Sequence, residues 1–171
     1  GRRLGPMPTP EFVLRLREKI GHDQLWLPGV SVVVVDDAGR ILLGRRSDTG
    51  RWSIIDGIPE PGEQPAAAAA RECEEEAGVR PEILAVIGVE TEEPIVYPNG
   101  DRCVFLDIGF VARVGAERAA AAGVGDGELT AVAWFEPDAL PTPLTPHASA
   151  RIAAARAWLA DPTTPARFRL E

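Results

Sequence analysis

The chain has 171 residues, 26 acidic and 18 basic, for a formal net charge of −8, and it is 45% hydrophobic and 26% charged. That length suits one domain with a sizeable core and the composition excludes disorder and fibrous repeats, while the acid excess disfavours large nucleic acids and anionic membrane as partners. Apolar runs such as Val32–Val35 are too short to cross a bilayer, and two cysteines, Cys73 and Cys103, are too few for a disulfide scaffold. Reduced thiols in a cytoplasmic setting are the expectation.

The chain begins with Gly1–Pro6 ahead of its one methionine, Met7, and reads there as a tag remnant. Thr9-Pro10-Glu11 opens a helix, with Phe12, Leu16 and Ile20 recurring every fourth residue and Gly21 placed to end it. Gly29–Val35 predicts a buried strand, Asp36–Gly39 a turn, and Arg40–Arg46 a returning strand. A short apolar stretch, Trp52–Ile55, leads into the proline- and glycine-rich Gly57–Gly62. Gln64–Ala77 is alanine- and glutamate-rich and predicts a helix stopped by Gly78. Ile83–Glu90, Glu93–Tyr97 and Cys103–Val114 predict strands, the last two joined by a hairpin at Pro98–Asp101. Ala116–Gly127 reads as a loop, Leu129–Phe135 as a strand, and Thr145-Pro146 opens a final helix to about Ala160. The pattern is one α+β domain.

One segment carries chemistry: Gly57-Ile-Pro-Glu-Pro-Gly-Glu63, a gap of seven residues, then Arg71-Glu72-Cys73-Glu74-Glu75-Glu76-Ala77-Gly78-Val79. Four glutamates crowd the C-terminal end of a helix, where the helix dipole is negative and like charges three or four residues apart repel. Spacings of i, i+3 and i, i+4 put Glu72, Glu75 and Glu76 on one face, while Glu74 lies round the helix in solvent. A divalent cation on that face would reverse the sign of these terms, and hard oxygen donors suit Mg²⁺ or Mn²⁺. Taken alone, a glutamate run is also what an ordinary solvated helix face looks like.

The stretch resembles the signature of the Nudix hydrolase superfamily, G-x5-E-x7-R-E-U-x-E-E-x-G-U, where U is a bulky apolar residue. Gly57, Glu63, Arg71, Glu72, Glu75, Glu76 and Gly78 match every fixed position and Val79 fits the last U. Matches at seven positions would arise by chance in roughly one chain in a million. Cys73 departs from the usual aliphatic at the first U and reads as core. Ile55-Asp56 stands where many relatives carry Pro-Gly; Asp56 either adds a carboxylate near the site or caps the loop, and the loop role is favoured.

The resemblance implies a Nudix-type α/β/α sandwich with a mixed sheet: an N-terminal helical extension over 7–27, the Nudix domain over 28–160 with its C-terminal helix, and a tail over 161–171. It implies Mg²⁺-dependent hydrolysis of the pyrophosphate linkage of a nucleoside diphosphate joined to another moiety. An ADP-ribose-like nucleotide sugar and an oxidised nucleoside triphosphate are both open, and so is a nucleotide-binding or regulatory module with little turnover. The implied metal ligands are Glu72, Glu76, Glu75 and the Gly57 carbonyl, with Glu75 a third ligand or the base and Arg71 paired to Glu63 to hold the helix against the loop. Glu128, in the acidic loop Asp126–Glu128, is a further candidate acid. Arg45 or Arg46 is a candidate phosphate contact, only one of them able to face the site. Trp52, Tyr97 and Phe105 offer rings for a base or ribose, or core. His22 and His147 read as surface residues. The partner is a small nucleotide, and a homodimer is compatible with the two terminal helices.

Overall fold

The computed structural model describes residues 9–125 and 127–171; the tag reading of 1–6, Met7 and Asp126 fall outside them. Its elements are α1 (Glu11–Ile20), β1 (Leu25–Val35), β2 (Ile41–Arg46), β3 (Trp52–Ser53), β4 (Ile55–Gly57), α2 (Pro65–Ala77), β5 (Glu82–Thr91), β6 (Ile95–Val96), β7 (Arg102–Arg113), α3 (Ala116–Ala119), β8 (Leu129–Phe135) and α4 (Pro146–Ala160). The strands form a mixed eight-stranded sheet ordered β3-β2-β1-β7-β5, with β4 added on β1, β6 on β7 and β8 on β2. β1 runs parallel to β7 along its whole length, from Leu25 opposite Cys103 to Val35 opposite Arg113.

Alternation along β1 divides its side chains between two cores. Val30, Val32 and Val34 pack with Ala68, Ala69, Cys73 and Ala77 of α2, whereas Val33 and Val35 pack with Ala148, Ile152 and Ala155 of α4. Helices therefore cover both faces, giving the α+β sandwich expected from the sequence. Cys73 is fully buried in the first core, as an apolar residue would be, and both thiols are free.

Several boundaries differ for physical reasons. β1 starts at Leu25, ahead of Pro28, because β4 pairs only with residues 30–32 and the N-terminal half of β1 has β7 as its one strand partner. Proline is tolerated in such an edge-like stretch. In α1, Pro10 rather than Thr9 takes the N-cap position. The buried contact of that helix is Val13, while Leu16 is exposed. The segment read as a loop after Val114 contains the single turn α3. Thr145 caps α4 as expected, its hydroxyl accepting from the Ala148 amide at 3.3 Å.

Candidate active site

α2 carries the glutamates, and its placement follows from local sequence. Pro65 occupies the first turn, Gly78 ends the helix with φ 72°, and an alanine-rich face lies flat on the sheet. Small residues let the helix approach closely, so Glu72 rests against β4. A Cβ on Gly57 would overlap the Glu72 carboxyl, so only glycine fits there.

Arg71 organises the acidic face. Its Nε and Nη2 donate to the two carboxylate oxygens of Glu63 at 2.8 and 3.0 Å, while Nη1 donates to Glu72 at 3.0 Å and to Glu75 at 3.2 Å. Glu63 also accepts from the Glu60 amide at 2.9 Å, so the 58–63 loop and the helix are tied through one carboxylate. The Arg71 hydrogen bonds hold the Glu63 carboxyl below its ordinary range. Burial pushes Glu72 up to about 7, opposed by the Arg71 cation and reinforced by Glu75. Glu76 is buried, Glu75 is half exposed, and Glu74 points to solvent, where it pairs with Arg80 at 2.9 Å.

The donor set fits a hard divalent ion. Glu72 is a buried carboxyl among like charges, and Glu75 and Glu76 lie within one helical turn of it. A cation there would offset the repulsion among the three carboxylates. Glu128 is buried in the loop before β8. That loop packs on the end of α2 through the Gly125 amide, which donates to the Glu76 carbonyl at 3.0 Å.

Of the two candidate arginines, Arg46 faces the site. The β2–β8 register shifts between Arg45 and Arg46, and such a bulge re-aims the side chain that follows it. Arg46 lies within the electrostatic reach of both Asp56 and Glu76, and its own pKa is raised; burial opposes that rise, and Asp56 contributes most to it. Arg45 turns away, its Nε donating to the Gly50 carbonyl at 3.0 Å.

A cleft of about 200 Å³ lies on the α4 face of the sheet with Gly57 and Arg46 at one end. Tyr97 and Phe105 line it. Trp52 does not: its ring packs edge-on to Phe135, centroids 5.0 Å apart, in the core under α4.

Two further readings change. Asp56 does not cap a loop; it sits in β4 opposite Ser31 and lines the cleft, where burial raises its pKa against the pull of Arg46. His147 is not a surface residue. In the first turn of α4, it lies between Glu92, at 2.9 Å from Nδ1, and Asp107, at 3.8 Å from Nε2. His22 is exposed, as expected, and bonds Asp101 at 2.8 Å. Glu92 and Asp107 line this part of the cleft and Arg151 bonds Asp107 from behind it; none of the three was singled out from sequence. A lone acid within the apolar run 103–114 is the signal that marks Asp107.

Known proteins share this fold and parts of this sequence. The chain is 37% identical over 116 residues to a MutT-like protein from Streptomyces ambofaciens, covering 64% of this chain and 63% of that protein. It is 30% identical over 147 residues to the human 8-oxo-dGDP phosphatase, covering 83% of this chain and 40% of that protein. An RNA pyrophosphohydrolase from Roseobacter denitrificans matches over 51% of its length, so the chain spans between 40% and 63% of these relatives. Among solved structures, a MutT NUDIX hydrolase from Burkholderia pseudomallei superimposes with a TM-score of 0.60 at 28% identity, covering 76% of this chain and 98% of that one. An ADP-ribose pyrophosphatase from Streptococcus suis shares the fold, with a TM-score of 0.64 at 19% identity over 84% of this chain and 98% of its own. Residues 25–156 match the NUDIX domain, and the chain belongs to that family.

Proposed function

We propose that this chain is a Mg²⁺-dependent pyrophosphohydrolase that cleaves the pyrophosphate linkage of a nucleoside diphosphate joined to another moiety. An ADP-ribose-like nucleotide sugar and an oxidised nucleoside triphosphate are the candidate substrates. The observation that carries this reading is the grouping of Glu72, Glu75 and Glu76 beside Gly57, braced by the bidentate Arg71–Glu63 pair. The named relatives act on such anhydrides, which supports the same reaction class here.

Glu72, Glu76, Glu75 and the Gly57 carbonyl would hold the ion, which when bound neutralises phosphate charge and polarises the bond to be cleaved. The protein's own contributions are positional and electrostatic. Arg71 orients Glu72 and Glu75 through its Nη1. Glu63 fixes Arg71, and Arg46 brings a cation to the cleft mouth between the glutamates and Asp56. Glu75, the most exposed of the three, is placed to orient or deprotonate a water molecule.

The test is Glu76→Gln, which keeps side-chain shape and removes the charge. Loss of Mg²⁺-dependent turnover by about 100-fold or more, with an unchanged thermal transition, is expected. Unaltered turnover in that variant sinks the assignment.

A further inference from the structure

The helix α1 lies ahead of residues 25–156, the span that matches the NUDIX domain, yet it is tied into the wall of the cleft. Arg17, in its last turn, has a side chain only 9% exposed. Nη1 of Arg17 donates to the carbonyls of Gly21 and Asp23. Nη2 donates to the Arg102 carbonyl at 2.7 Å and to Cys103 Sγ at 3.4 Å. Nε faces Asp101 Oδ1 at 3.7 Å, which supplies a countercharge to the buried guanidinium. Asp101 is buried as well; His22 Nδ1 lies 2.8 Å from the same Oδ1, and the Asn99 side-chain amide donates to Oδ2 at 3.0 Å.

These contacts converge on the turn after β6. The Tyr97 amide donates to the Asp101 carbonyl at 2.9 Å and the Gly100 amide to the Tyr97 carbonyl at 2.8 Å, which closes the turn. β6 is two residues long and pairs with β7 through Ile95 and Val96, a ladder too short to hold its position without tertiary support. Arg17 gives that support: one planar fork spans the end of α1, the 21–23 loop and the first residues of β7. Val13 of α1 packs in one apolar cluster with Cys103, Phe105 and Tyr97, and the last two line the cleft.

We propose that Arg17 is a positioning residue for substrate binding: it fixes the 97–101 turn and thereby holds the Tyr97 ring in the cleft wall, so that a helix outside the NUDIX match belongs to the binding apparatus. The proposal rests on the pyrophosphohydrolase reading, and Arg17 acts in it only through Tyr97.

Tyr97 is the one tyrosine of the chain, so its phenol is followed alone by absorbance during an alkaline titration. Burial raises that phenol above the ordinary value of about 10. Arg17→Met keeps an apolar stem and removes the fork. Its phenol is expected to ionise at least about one pH unit lower than in the parent protein, with circular dichroism showing the fold intact. Calorimetry with α,β-methylene-ADP and Mg²⁺ should show binding weakened about ten-fold, and KM for a turned-over nucleotide should rise likewise with kcat within about twofold. Tyr97→Ala should weaken binding by a similar factor, and adding Arg17→Met to it should change binding less than about twofold, because the two act as one unit. General destabilisation does not produce that non-additivity. If Arg17→Met does not fold, Asp101→Asn loosens the same contact from the turn side, and a loss of binding of at least about threefold is expected, again absent in the Tyr97→Ala background. An unmoved phenol titration, binding within about twofold of the parent, or weakening that multiplies with that of Tyr97→Ala overturns the positioning role and leaves the hydrolase reading standing. A parent protein that binds the analogue but turns over neither ADP-ribose nor 8-oxo-dGTP overturns the hydrolase reading, while the titration and the binding cycle still decide the role of Arg17. A parent protein that does not bind the analogue overturns the positioning role, and turnover of either nucleotide then decides the hydrolase reading by itself.

Discussion

Gly57 and Glu72 occupy a single space: the backbone of β4 passes where any side chain on residue 57 would overlap the Glu72 carboxyl. This contact ties the glutamate helix to the sheet strand that also carries Asp56 into the cleft. Gly57→Ala is expected to displace Glu72, weaken Mg²⁺ affinity at least ten-fold and reduce turnover, while the second core under α4 stays intact. Calorimetric titration with Mg²⁺ alongside circular dichroism checks both halves.

Arg71 donates from two edges of its planar guanidinium, Nε and Nη2 to Glu63 and Nη1 to Glu72 and Glu75, so lysine cannot replace it. Arg71→Lys keeps the charge but loses the bidentate grip on Glu63. A 10–100-fold fall in kcat/KM is the usual scale for losing a group that orients metal ligands, so about that loss is expected. Steady-state kinetics of the purified variant tests it; activity within twofold of the parent would contradict the bracing role.

The Glu63 carboxyl is held below the ordinary glutamate value of about 4.5 by its Arg71 hydrogen bonds. Its contribution to stability is therefore fully present above that value and is lost as pH falls through the lowered folded-state pKa. Glu63→Gln should lower the melting temperature at pH 7, and the gap to the parent protein should narrow steadily below about pH 4.5. Thermal melts from pH 3 to 7 measure the gap.

Gly109 gives Arg151 its room, a Cβ there lying 2.7 Å from the guanidinium Nε. Gly109→Ala forces that buried, ion-paired side chain to move. A loss of about 1–3 kcal/mol in unfolding free energy is expected from overpacking. Urea denaturation reads it directly.

Trp52 is partly buried and packs against the core under α4, its ring edge-on to Phe135. Trp52→Ala should cost about 3 kcal/mol of stability, the range for removing a large aromatic from a core. KM for a nucleotide substrate should change less than twofold at a temperature where the variant is folded. A large KM increase with little loss of stability would restore the ring to substrate contact.

The glutamate helix was legible from sequence because its determinants are local. Helical spacing alone gathers Glu72, Glu75 and Glu76 on one face, and Pro65 and Gly78 bound the helix wherever it packs. The sheet strands and the burial of Cys73 followed from hydrophobic alternation in the same way. The choice of Arg46 over Arg45 did not, because it depends on a bulge created by pairing with β8, more than 80 residues along the chain. His147 was read as a surface residue for a related reason: an imidazole has no sequence mark that tells a covered sheet face from an open one.

The opening charge count illustrates the same division. By itself the sequence determined the family signature and the acidic helix face, since these follow from residue types and short spacings. Only the tertiary structure brought Asp56 from β4, Asp107 from β7, Glu92 from the turn after β5 and His147 from α4 to one cleft, with Arg151 of α4 behind Asp107. Their convergence is set by the parallel β1–β7 register and by α4 lying across glycines 88 and 109, long-range contacts that no local pattern encodes.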